Sequence, residues 1–294
     1  MPVRGQVVGG LELVAGRSNG ARRLTMVFLW GGSMQRRQFL TATLAASAVA
    51  AARRVPAQAP AAQAREFYLL HRYQLKSGPE LKLTENYFAV ALIPALGRMG
   101  LGPVGALKLD IGPETPAYYV LIPGAGTEML AELDLRLARD AEFLAAAAPF
   151  WNATAGAPAF ERMESWLLAA FEGWPRATPP ASKSKRIFQL RTYESPSNGE
   201  HVRKVEMFHS GEFEIFKAAG FHPVFFGDTL VGSRMPSLTY LLSFGDTAEL
   251  EAKWDVFRND PAWKKLSADP RFGFDPIVMN ISNLMLSPLD CSQI

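Results

Sequence analysis

The sequence predicts an α+β fold made of two successive copies of one unit, strand-helix-strand-strand-helix-strand. Three observations carry the prediction. The chain has 294 residues, of which 48% are hydrophobic and 11% aromatic, enough to bury a substantial core. Shifted by 120 positions, it aligns with itself without a gap from about residue 65 to residue 130. The coincident residues include Gly100 with Gly220, Pro103 with Pro223, Gly112 with Gly232 and Pro116 with Pro236, so both halves are expected to turn at the same places.

Each half reads the same way. An opening strand (66–74; 186–194) leads into a helix through Ser-x-x-Glu, Ser77 with Glu80 and Ser197 with Glu200, the pattern of a reciprocal capping box. The helix stops at Gly100 or Gly220, because glycine suits the left-handed residue that ends many helices. The proline three positions on forces extended backbone before it, so His222 begins a strand rather than marking a haem or metal site. Two strands follow (104–111 and 117–122; 224–231 and 238–244), each pair joined by a short turn with Gly and Pro. A second helix spaces Leu130, Leu133, Leu137, Ala141 and Leu144 on one face; its counterpart carries Leu250, Trp254 and Phe257, breaks at Asp260-Pro261 and resumes through Trp263 and Leu266. A last strand (160–168; 277–286) closes each unit.

This order is the split βαβ, or ferredoxin-like, arrangement. Two such sheets bury their open faces by meeting across a shared lumen, a dimeric-α/β-barrel-type architecture, and two copies in one chain favour closure within the chain. The domain division is a leader (1–64), a first repeat (65–172), a linker rich in Pro, Ser and Ala (173–185) and a second repeat (186–290).

Charge is unevenly placed. Residues 1–59 hold eight Arg and one acid, Glu12, leaving 23 bases against 27 acids in the rest, so the repeats are mildly acidic despite a pI near 9.0. That removes the electrostatic basis for nucleic-acid binding. Within the leader, Arg36-Arg37 followed by Phe39-Leu40, an Ala-rich apolar run and Ala57-Gln58-Ala59 read as a twin-arginine export signal, with residues 1–33 an over-extended start. A periplasmic or extracytoplasmic location is expected, without a stable membrane span, because the apolar run is shorter than the roughly 20 residues that cross a bilayer. The single Cys291 allows no internal disulfide.

The segments FQLRTYESP, KVEMF, GFHPVFFGDTLVGSRMPSLTYLLSF, RNDPAWKKL, PALGRMGLGPVG and ESWLLAAFEGWP resemble the NIPSNAP family, over about residues 65–289. The resemblance implies a dimeric α+β barrel fold and a homodimer; animal members of the family are linked to mitochondria and vesicular trafficking. It carries over no catalytic residues.

Candidate chemistry comes from the strands. In 187–193, Phe188, Leu190 and Thr192 share one face and Ile187, Gln189, Arg191 and Tyr193 the other; in the first half the latter face carries Phe67, Leu69, His71 and Tyr73. With the more apolar face placed under the helices, His71, Tyr73, Gln189, Arg191 and Tyr193 line the lumen, where Arg191 would clamp an anion and a tyrosine donate. The alternative is a solvated or internally paired lumen. His209 falls on or beside the apolar face of its helix with Val202, Val205, Phe213 and Phe216; it reads as a buried neutral imidazole with one hydrogen bond, or, with Glu206 as polar neighbour, as a general base.

No metal is expected: His71, His201, His209 and His222 show no ligand spacing. No cofactor is expected either, since no nucleophile elbow, dinucleotide or phosphate-binding loop occurs, and haem peroxidases with doubled ferredoxin-like domains carry a Gly-x-x-Asp-Gly element missing from this sequence. Two functions follow as expectations. The first is a barrel that binds a small molecule or a protein partner, dimerising through exposed aromatic surface such as Trp254 and Trp263. The second is a cofactor-independent monooxygenase or isomerase using Arg191, Tyr193 and His209.

Overall fold

A computed structural model describes residues 64–294 apart from Ser77 and 182–184. The leader with its twin-arginine motif, and the Ser77 half of the first capping box, lie outside the described residues. The elements run β1 (Phe67–Gln74), α1 (Pro79–Tyr87), a π-helical turn (Phe88–Leu92), α2 (Ile93–Arg98), β2 (Gly105–Ile111), β3 (Ala117–Gly124), α3 (Thr127–Ala131), α4 (Leu133–Leu137), α5 (Ala141–Trp151) and β4 (Arg162–Ala170). The second half repeats the order: β5 (Ile187–Glu194), α6 (Asn198–Met207), a π-helical turn (Phe208–Glu212), α7 (Phe213–Ala218), β6 (His222–Val231), β7 (Ser237–Phe244), α8 (Thr247–Asn259), α9 (Pro261–Ser267), α10 (Phe274–Ile277) and β8 (Asn280–Pro288).

The eight strands close into one antiparallel barrel in the order β1-β3-β2-β8-β5-β7-β6-β4. Within each half the order is fourth-first-third-second, and the halves join where β2 meets β8 and β6 meets β4. Closure removes free sheet edges, and both seams carry a register shift, at Leu109/Ile111 and at Leu167/Leu168. Gly100 and Gly220 take φ of 72° and 75°, the left-handed geometry expected where the first helices end.

Two packed layers surround the sheet. Outside β1 and β3, α1 to α5 cover Tyr73, Phe88, Tyr118, Val120 and Ile122; outside β5 to β7, the second helical layer covers Tyr193, Phe208, Phe216, Phe226, Tyr240 and Trp254. The lumen holds Tyr68, Leu70, Phe188, Leu190, Phe225, Leu241 and Leu286.

The predicted faces of the opening strands are therefore inverted. His71, Tyr73, Gln189, Arg191 and Tyr193 lie under the helices, and Phe188, Leu190 and Thr192 point inward. An eight-stranded barrel has an interior just wide enough for side chains to fill, so the lumen takes the bulky apolar residues. The helix-covered face can take aromatic and amphipathic ones, whose polar ends reach partners on the helices.

Local expectations also change. The first helix starts from Gly78 at φ 95° with no side-chain cap, followed by Pro79. In the second half Ser197 Oγ accepts from the Glu200 N–H at 3.3 Å, but the return bond is absent: Glu200 pairs with Arg203 and its Oε2 has no partner. The helix expected through Leu130 and Leu144 is three pieces, the last capped by Asp140, which accepts from the Phe143 N–H at 3.0 Å. The π-helical turns occupy matching positions and were not foreseen. Pro94 supplies no N–H to the first, and Gly211 at φ 139° breaks the helical path of the second. Trp254 is buried and Trp263 half-buried, so neither forms the exposed aromatic surface expected for dimerisation.

Candidate ligand pocket at the hairpin end of the lumen

The apolar lumen core gives way, at the barrel end carrying the β2–β3 and β6–β7 turns, to a cavity of about 560 Å³. Leu70, Tyr119, Trp166, Leu190 and Leu284 make its apolar wall, and Thr192, Thr239, Ser282 and Asn283 add polar groups. The rim is charged: Arg72, Glu114, Arg162, Glu164 and Arg234. Alternation along the strands explains the lining. Leu70 and Arg72 follow Tyr68 inward on β1; Glu164 and Trp166 do the same on β4, as Leu190 and Thr192 do on β5.

Arg72 organises the rim. Its side chain is 8% exposed, and its guanidinium donates to Glu164 at 2.7 Å, Gln74 at 2.6 Å and Glu114 at 2.8 Å. Arg162 donates to both Glu114 oxygens at 3.1 Å. Hydrogen bonds from Arg72 and Arg162 hold the Glu114 carboxyl below its ordinary range. Glu114 sits at φ 57°, and its counterpart in the other turn, Arg234, at φ 60°. Both turns thus strain a charged, non-glycine residue into the left-handed region to place it beside the mouth. Arg234 reaches Ser282 at 3.4 Å and Glu194 at 3.8 Å. Burial pushes the Tyr119 phenol up to about 12, which leaves it a neutral hydroxyl at neutral pH.

The residues singled out in the sequence fall elsewhere. Arg191 Nη2 donates to the Tyr193 hydroxyl at 2.9 Å, which meets the Tyr240 hydroxyl at 3.0 Å. Gln189 accepts from Trp254 Nε1 at 2.8 Å. Tyr73 packs its ring edge-on against Phe88, Phe150 and Phe160 in the other helical layer. His71 Nδ1 lies 2.7 Å from Ser165 Oγ.

His209 is exposed at the margin of the apolar face, its ring 5.6 Å from Phe171 and 5.3 Å from Phe213. Its Nδ1–H donates to the Val205 carbonyl at 2.9 Å and its Nε2 accepts from the Gly173 N–H at 3.1 Å. Both nitrogens are occupied in fixing the linker to the helix, so no base is free. Glu206 does not touch it and pairs with Arg271 at 3.0 Å. A histidine-carboxylate contact forms instead between His201 Nε2 and Asp228, 2.7 Å apart, a pair with no sequence spacing to announce it. Among the described residues no group of three His, Cys, Asp or Glu could hold a metal ion, and no helix is long and apolar enough to cross a membrane.

Burial lowers the His71 pKa, with a smaller opposing pull from Asp134. The folded state keeps this imidazole neutral where the unfolded chain takes up a proton, so its contribution to stability is lost as pH falls below the ordinary histidine value of about 6.5. Thermal melts from pH 7.5 to 5 should show wild type losing stability on acidification more steeply than His71→Gln; equal slopes would remove His71 as the cause.

Comparison with known proteins places residues 188–293 in the NIPSNAP family model. No curated protein matches the chain. Among solved structures, a "Putative monooxygenase" from Fusobacterium nucleatum aligns with a TM-score of 0.53 at 10% identity, over 77% of this chain and 94% of that one. A "putative monooxygenase" from Lactobacillus acidophilus gives a TM-score of 0.51 at 8% identity, over 76% of this chain and 94% of that one. A NIPSNAP-like domain protein from Burkholderia xenovorans matches at 16% identity, over 36% of this chain and 86% of that one, with a TM-score of 0.32. At these identities the first two likenesses are of fold.

Proposed function

Taking residues 188–293 as a NIPSNAP domain, we propose that this α+β barrel binds a small amphipathic molecule in the hairpin-end pocket. The apolar part of the ligand lies against Leu70, Trp166 and Leu190, and its polar part at the Arg72, Arg162 and Arg234 rim. The observation that carries the reading is the pocket's lining: an apolar wall under a charged rim, with no histidine, cysteine or lysine. Both of its carboxylates are already tied to arginines. This set suits binding and orienting: its hydroxyls, on Tyr119, Thr192, Ser233, Thr239 and Ser282, have no histidine or lysine among the lining residues to activate them.

Gly232 gives the test. A Cβ there would lie 2.2 Å from Trp166 Cδ1, so Gly232→Ala must displace the indole that walls the pocket. Titration with the amphipathic anion anilinonaphthalene sulfonate should give one saturable site in wild type and at least tenfold weaker binding in Gly232→Ala. Equal affinity in the two proteins would refute the pocket assignment.

A second reading, a cofactor-independent monooxygenase or isomerase, has the names of the two barrel neighbours in its favour. Oxygen uptake with candidate phenols and enols tests the monooxygenase arm, and substrate rearrangement without oxygen uptake, followed by NMR, the isomerase arm. The reading also includes two tandem ferredoxin-like units arising by duplication, supported by the matching strand orders and π-helical turns. It includes a homodimer, supported by the exposed Val202, Phe274 and Met279, which sedimentation would detect. It includes twin-arginine export of the chain, supported by Arg36-Arg37 and the apolar run after them, and tested by fractionating cells with Arg36 and Arg37 replaced by lysine.

A further inference from the structure

The two halves line the hairpin-end pocket from equivalent positions with different chemistry. Arg72 and Tyr119 are register partners on β1 and β3, and their second-half counterparts on β5 and β7 are Thr192 and Thr239. Glu164 stands opposite Arg72 on β4, and Ser282 opposite Thr192 on β8. All six line the cavity. The second-half set is small and partnered within the protein: the two threonine hydroxyls meet at 2.9 Å, and Ser282 Oγ accepts from Arg234 at 3.4 Å. It leaves room. The first-half set is large and polar, and one member of it has nothing to bind.

That member is Tyr119. Its ring belongs to the apolar lumen cluster and the residue is 6% exposed. Among the described residues its hydroxyl meets no hydrogen-bond partner, whereas the neighbouring Tyr118, on the helical side of the same strand, donates to Glu85 at 2.5 Å. Packing does not seal the oxygen in, as it does that of Tyr68 deeper in the lumen. A buried phenol that stays protonated is a ready donor, and a donor left unmet in a cavity is met by whatever occupies it.

The charges beside it are unequal. Three arginines and two glutamates line the cavity. Arg72 and Arg162 hold Glu164 and Glu114 at 2.7 to 3.1 Å, so these four compensate one another. Arg234 is held loosely, 3.8 Å from a Glu194 that already accepts from Asn280 at 2.7 Å, and its side chain is 61% exposed. A ligand recruits Arg234 without breaking a close ion pair. Both Arg72 and Arg234 act electrostatically on the Tyr119 phenol, so the surplus cation and the unmet donor belong to one locality.

Resting on the amphipathic-ligand reading above, we infer that the ligand is a monocarboxylic acid whose carboxylate accepts the Tyr119 hydroxyl proton and pairs with Arg234. Its apolar body lies along Leu70, Leu190 and Trp166. One surplus positive charge matches one carboxylate, and a charge-assisted hydrogen bond from a buried phenol is stronger than one to a neutral alcohol. Tyr119 is thus the residue that reads the head group.

Calorimetric titration with octanoate and with 1-octanol, which share a tail and differ in head, tests the assignment. Wild type should bind octanoate at one site, tighter than octanol by roughly tenfold or more. Tyr119→Phe removes a single oxygen that bonds to nothing in the protein, so octanoate binding should weaken by roughly tenfold or more with no fall in melting temperature. Arg234→Gln should weaken octanoate and leave octanol unchanged. Octanol binding as tightly as octanoate, or a Tyr119→Phe protein that binds octanoate like wild type, would overturn the carboxylate assignment and leave the pocket standing. A Tyr119→Phe protein that fails to fold would contradict the unpartnered hydroxyl on which the assignment rests. Wild type binding neither compound would overturn the assignment and the pocket reading together.

Discussion

Replacing Lys204 with methionine is expected to destabilise the protein by about 3–5 kcal/mol, the cost of leaving a buried charge without its partner. Lys204 and Glu212 are 4% and 2% exposed and sit 3.0 Å apart between the second sheet and its helices. Lys204 is further enclosed by the Phe208 ring at 4.7 Å and Met207 Sδ at 3.4 Å. Neither ion can reach water when the other is removed. Burial already raises the Glu212 pKa against the pull of Lys204, and without the lysine it rises further. A folded-state carboxyl with a raised pKa is favoured at low pH and disfavoured as pH climbs through that value, so the Lys204→Met penalty should shrink on acidification. The double variant Lys204→Met/Glu212→Leu should recover wild-type stability or exceed it by about 1–4 kcal/mol. The first half has uncharged residues at both places, Thr84 and Leu92. Urea denaturation at pH 5 and 8 would check the whole set; a single variant within 1 kcal/mol of wild type at both would contradict it.

Phe226→Ala should cost about 3–5 kcal/mol. The ring is fully buried and central, with centroids 5.0 Å from Phe213, 5.3 Å from Tyr240, 5.4 Å from Phe208, 5.5 Å from Trp174 and 5.7 Å from Phe216. Its carbonyl accepts from the Phe171 N–H at 3.1 Å, which extends the β4–β6 seam by one residue beyond the end of β4. Rings held on a strand, a π-helical turn and the linker cannot all collapse into the void, so the cavity term stays large. A loss under 1.5 kcal/mol by thermal or denaturant unfolding would show that the layer repacks freely.

Turn chemistry was the most legible part of the sequence. Gly100, Gly220, Pro103 and Pro223 have few conformations open to them, so their spacing located the helix ends and strand starts. Side-chain direction was not legible in the same way. Alternation separates Leu190 from Arg191 but does not say which face closes the lumen, and that is decided by the volume eight strands enclose. Arg191 and Tyr193 were correctly grouped and placed on the wrong side. The Arg72 rim was missed because its partners, Glu114 and Glu164, lie far along the chain and meet it only after the barrel closes. The alternation of Arg162, Glu164 and Trp166 on one face of β4 was the available signal.

Thr192→Trp tests the central claim most directly, because Thr192 lines the pocket and lies on the strand face that the structure turns inward. The account predicts that the new indole occupies the cavity and abolishes saturable anilinonaphthalene sulfonate binding, with a cooperative thermal transition retained. A folded Thr192→Trp protein that still binds the dye with wild-type affinity would contradict it.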